Sequence, residues 1–136
     1  MLNYSETMEI LSNLKFDMVV ASSFGCFYAL HLENVPKILI NPCLHPSVEI
    51  PKLTKTKANF ASEFSKIEKK LYSKEKMIKD VFGIFGNSDE LFSYLDEFKS
   101  NFSFKDLNYA VVNGKHKISK GELEKGFIKA RDYFNV

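Results

Sequence analysis

Three kinds of side chain that could share a proton stand far apart in this chain, each just past an apolar run. Ser22 and Ser23 follow DMVVA, Asp89 and Glu90 follow VFGIFGNS, and His116 follows NYAVVNGK. A serine hydroxyl is a poor nucleophile. It needs a base within hydrogen-bond reach, and that base needs a carboxylate to hold its tautomer. The chemistry such a set would carry is acyl transfer through a serine ester.

Which serine would act is a question of local sterics. A strand-to-helix bend lifts a serine clear of its sheet and aims the next backbone N–H at a developing oxyanion. In so tight a bend the residues two before and two after the nucleophile are expected to be small. From Ser23 these are Ala21 and Gly25; from Ser22 they are Val20 and Phe24. Ser23 is therefore the expected nucleophile and the Phe24 N–H the expected oxyanion donor. His116, in a loop after the last apolar run, is the expected base. Asp89 is the expected acid, although Asp also caps helices and Glu90 is its neighbour.

Other reactive types give weaker signals. Cys26 and Cys43 are too few for a disulfide framework and do not form a CxxC pair. His31, His45 and His116 lie far apart without Cys or Asp at ligand spacing, so no metal site and no cofactor is expected. His31 reads as a packing or surface residue within a helix.

The elements that must hold these residues follow from periodicity. Residues 5–14 read as a helix, with Ser5 at its start and Met8, Leu11 and Leu14 on one face. FDMVVA (16–21), KILIN (37–41), VFGIFG (81–86) and LNYAVVNG (107–114) read as strands. Helices are expected over 24–33, 89–99 and 119–134. PCLHPSVEIP (42–51) holds three prolines and reads as loop. NFASEFSKIEKKLYSKEKMIKD (59–80) carries a Phe60, Phe64, Ile67, Leu71 stripe beside a lysine-rich face. Strands alternating with helices predict an α/β fold, a three-layer αβα sandwich around a mainly parallel sheet of about four strands. Sites in such sheets lie beyond the carboxyl ends of the strands. Those ends are where Ser23, Asp89 and His116 fall.

Bulk properties set limits. The 136 residues suit one domain, 1–136, with a helical cap-like insertion at about 52–80. A net charge of +2, with Arg131 the sole arginine, argues against a nucleic-acid partner. The lysines of 52–79 read as the solvated face of an amphipathic helix. MLNYSETMEILSNLKF lacks the basic start and apolar core of a signal peptide, and no apolar run approaches bilayer length, so no membrane partner and a cytoplasmic location are expected.

Taken together, SSFGCFYAL, ILINPCLHPS, FGNSDELFSYL and NGKH resemble the small YqiA/YcfP-type esterases of the α/β-hydrolase superfamily. Those proteins carry G-S-S-L-G-G-[FY]-Y-A, a strand ending in N-P, then G-x-x-D-E and G-G-x-H. The resemblance spans about residues 6–134. It implies an esterase or thioesterase acting on small acyl esters, with Ser23 as nucleophile, Asp89 as acid and His116 as base. It also implies a structural turn at Asn41-Pro42 and a substrate contact from His45. The chain differs by lacking the family's N-terminal strands and the L-H-G-F type loop that gives a second oxyanion donor. The expected fold is thus a truncated α/β-hydrolase. The alternative it raises is a non-catalytic, hydrolase-like binding or interaction module. The missing strand would leave 16–21 as an open edge, where a second copy or another partner is expected to pair.

Overall fold

A computed structural model describes residues 3–73 and 78–135. Four strands form one sheet in the order β1 (Val19–Ser22), β2 (Lys37–Ile40), β3 (Val81–Gly86), β4 (Tyr109–Val112), every neighbouring pair parallel. The register places Ala21 beside Leu39, Leu39 beside Gly83 and Gly83 beside Tyr109. Among the described residues, six α-helices surround it: α1 (Tyr4–Ser12), α2 (Gly25–Ala29), α3 (Pro46–Leu53), α4 (Phe60–Ser73), α5 (Leu95–Phe102) and α6 (Lys120–Phe134).

A sheet whose strands follow chain order has its crossovers on one face when each keeps the usual hand. The two apolar cores agree. On one face Leu39, Val81 and Phe85 pack with Cys26 and Ala29 of α2 and with Phe98 and Phe102 of α5. On the other, Ile38, Phe82, Ile84, Ala110 and Val112 pack with Ala130 of α6. The three-layer αβα architecture is therefore present. Alternation along the strands decides the sharing: Ile38 and Leu39 are neighbours in sequence and belong to opposite cores. α6 sits close, since a Cβ on Gly126 would lie 2.8 Å from Ile84. It covers the β3–β4 side, while Val20 on edge strand β1 is half exposed.

Several elements differ from the sequence reading, among them the helix expected over 24–33, which spans only Gly25–Ala29. The prolines of 42–51 do not keep that stretch irregular, because α3 begins with Pro46 in its first turn and carries Pro51 inside. A first-turn proline lacks only an N–H that would have no helical partner. The first helix is capped by Asn3 rather than Ser5: Glu6 N–H donates to Asn3 Oδ1 at 2.8 Å and Asn3 N–H to Glu6 Oε2 at 3.2 Å. The helix expected over 89–99 starts at Leu95 instead. Of the helix expected over 59–80, residues 60–73 form α4 and 78–80 a 3₁₀ turn, while 74–77 lie outside the described residues. Among the described residues, no helix is long and apolar enough to cross a membrane.

Candidate active site

Ser23 leaves the end of β1 with φ at 57°, a left-handed conformation that non-glycine residues adopt at a cost of about 1–3 kcal/mol. Hydrogen bonds hold it there. Its N–H donates to the Ile40 carbonyl at 3.0 Å, and its own carbonyl accepts from Cys26 N at 3.2 Å and Cys43 N at 3.0 Å. Ser22, by contrast, is the last ladder residue of β1, paired beside Ile40 with its side chain exposed. The backbone thus separates the two serines. The steric reason expected from the sequence is not the one at work: a Cβ on Gly25 would meet nothing within 4 Å.

Across the strand ends, Ser23 Oγ lies 3.1 Å from His116 Nε2. The other ring nitrogen, Nδ1, lies 3.2 Å from Asp89 Oδ1 and 3.1 Å from Oδ2. A proton on Nδ1 facing the carboxylate leaves Nε2 free to accept from the serine hydroxyl. Asp89 is well shielded, its side chain 5% exposed against 18% for His116. It is also oriented by accepting from Leu91 N at 2.9 Å and Phe92 N at 3.1 Å. These bonds are why the helix after β3 starts late. The ring of Phe92 stands edge-on to His116, with centroids 4.9 Å apart.

Asp89 and Glu90 meet different parts of His116. Asp89 meets the imidazole ring, whereas Glu90 Oε2 accepts the His116 backbone N–H at 3.0 Å. That bond holds the exposed Glu90 carboxyl below its ordinary range. Phe24 N–H enters no hydrogen bond among the described residues, and the Phe24 ring packs against Tyr28 and Phe64 at 5.1 and 5.9 Å. A cavity of about 240 Å³ lies on the acid side, lined by Asp89, Phe92, Tyr94 and Phe85.

His45 falls elsewhere. Its Nε2 lies 2.7 Å from Glu97 of α5 and its Nδ1 3.3 Å from Glu68 of α4. With both nitrogens held by carboxylates, neither is free for the substrate contact expected of it. Glu68 also accepts from the backbone and hydroxyl of Ser47, each at 2.8 Å. Burial alone would lower the His45 pKa, but the hydrogen bonds to Glu97 and Glu68 outweigh it and the net direction is upward. No sequence pattern pointed to this group, because its members are 23 and 52 residues apart.

The remaining candidates have packing roles. His31 Nδ1 bonds the Phe27 carbonyl at 2.8 Å and its ring packs on Phe27 and Tyr4. Cys26 and Cys43 are fully buried. Burial pushes both thiols up, Cys43 to about 12, which leaves them without thiolate character. Among the described residues, no group of three His, Cys, Asp or Glu side chains could hold a metal ion.

No protein-family model matches the chain, and no curated protein matches it either.

Proposed function

We propose that the chain is a serine hydrolase of esterase or thioesterase type acting on small acyl esters. The observation that carries this reading is the Ser23–His116–Asp89 series, whose nucleophile end sits at a left-handed bend between strand and helix. A left-handed backbone at a half-buried serine costs free energy, and such costs cluster at functional sites.

The mechanism follows from the geometry. Ser23 Oγ attacks the ester carbonyl as its proton passes to His116 Nε2. Asp89 holds the Nδ1 proton and stabilises the imidazolium. The carbonyl oxygen becomes an oxyanion facing the Phe24 N–H. Collapse releases the alcohol or thiol, which takes the proton from His116. A water then gives its proton to His116 as its oxygen attacks the acyl carbon, and the bond to Ser23 Oγ breaks as Oγ takes that proton back, releasing the acid and free Ser23. With the Phe24 N–H the one backbone donor identified among the described residues, turnover is expected to be slower by about 10²–10³-fold than with a complete oxyanion hole.

A non-catalytic, hydrolase-like module is the second reading, favoured by that single donor. Hydrolysis of short-chain para-nitrophenyl esters and thioesters separates the two. The hydrolase reading expects turnover that disappears in Ser23→Ala. Equal rates for wild type and Ser23→Ala would favour the module. The open edge of β1 is where we place a second copy, and light scattering that gives a monomer would remove that assignment.

A further inference from the structure

We infer that Asn41, through its side-chain amide, is the positioning residue that aims His116 at Ser23 and Asp89; this rests on the hydrolase reading for its consequence, but not for its geometry. Asn41 follows β2 with φ at 42° and is 2% exposed. Its backbone N–H donates to the Ile84 carbonyl at 2.9 Å, continuing the bonding of β2 to β3. The side chain then bridges strand ends far apart in sequence. Its Nδ2 donates to the carbonyls of Lys115 at 3.0 Å and His116 at 2.8 Å, and its Oδ1 accepts from Gly86 N at 2.8 Å.

The two carbonyls belong to the peptide units on either side of the His116 Cα. Holding both planes fixes the direction of the Cα–Cβ bond, and so where the imidazole can reach. The Lys115–His116 unit is gripped twice, its carbonyl by Asn41 and its N–H by Glu90. Amide orientation is unambiguous here, since Oδ1 must face an N–H and Nδ2 must face carbonyls. The loop lies tight against β3: a Cβ on Gly86 would stand 2.5 Å from Gly114 O and 2.6 Å from Lys115 O. Asn41 touches neither Ser23 Oγ nor the His116 ring in any hydrogen bond among the described residues. It acts through the backbone of His116.

Asn41→Asp tests this with little change of volume. It keeps the acceptor for Gly86 and replaces both donors with an oxygen facing two carbonyls. A misplacement of the base is expected to lower kcat about 10²-fold while KM stays within about twofold. In ¹⁵N-histidine-labelled protein, the ring signals of His116 should move while those of His31 and His45 stay. Exchange protection of the Gly86 amide should persist, which reports an intact fold. A folded Asn41→Asp protein with unchanged kcat and unchanged His116 ring signals would overturn the inference. If that variant does not fold, Asn41→Ser, with one O–H for two carbonyls, is read by the same criteria. If the wild type hydrolyses no ester, the hydrolase reading fails alone. The His116 signals then decide Asn41: movement supports it and constancy overturns it.

Discussion

His116 and His45 each stand between two side chains, yet their partners prepare them for opposite uses. His116 has a carboxylate on one nitrogen and a hydroxyl on the other. His45 has carboxylates on both. An imidazole facing a hydroxyl needs a lone pair there, so the proton can move between them. An imidazole between two carboxylates is best served by carrying a proton on each nitrogen. Burial lowers the His45 pKa but the two carboxylates raise it further, and the ring joins the loop after β2 to α4 and α5, beside Tyr72 and Tyr94. The partner on the second nitrogen decides the use.

The largest expected effect breaks the His116 side of this comparison. Asp89→Asn leaves a carboxamide that can donate to Nδ1 and so favour the wrong tautomer, and kcat for ester hydrolysis should fall on the order of 10⁴-fold. Steady-state kinetics with unchanged circular dichroism checks it. Breaking the His45 side should instead unfold the protein more easily. His45→Phe leaves Glu68, with a side chain only 7% exposed, and Glu97 without their shared imidazole partner. Losing one partner of a fully buried pair costs about 3–5 kcal/mol, and with His45 28% and Glu97 35% exposed the loss here should be smaller, which urea denaturation would read.

A smaller effect follows from pH. Because the folded pKa of His45 is raised, its contribution to stability is present in full below about pH 6.5, the unfolded value. It is lost as pH rises through the folded value. Urea midpoints of wild type should show this fall, and a variant with both Glu68→Gln and Glu97→Gln should lack it. The smallest effects separate two glycines. Gly86→Ala should destabilise measurably because its Cβ would meet loop carbonyls at 2.5 and 2.6 Å, whereas Gly25→Ala, with nothing within 4 Å, should shift stability by no more than about 0.5 kcal/mol. Thermal melts of the pair would show it.

The same contrast explains what could be read from the sequence. Ser23, Asp89 and His116 each follow a strand with a strong apolar pattern. The parallel α/β topology then brings strand ends together, so local signals were enough. The His45 group has no such frame: Glu68 and Glu97 look like ordinary polar positions of amphipathic helices until α4 and α5 are packed. α3 was hidden by Pro46 and Pro51, whose helix-breaking reputation does not apply in a first turn and was tolerated inside a short helix. The start of α5 was hidden because 89–94 is used at the site, with Asp89 and Glu90 both bound to His116. The small residue at Gly25 points to Ser23 in the sequence, but the open space there does not support a steric reason. Its left-handed backbone is the stronger reason, and φ is not written in residue types.

In the proposed hydrolase, Ser23 is an activated nucleophile. The most direct test is a fluorophosphonate probe followed by peptide mass mapping, which needs no knowledge of the natural substrate. One label is expected on Ser23, lost in Ser23→Ala and strongly slowed in His116→Ala, while His45→Phe still labels wherever it remains folded. Folded wild type that takes up no label, under conditions that label a known serine esterase, would contradict it.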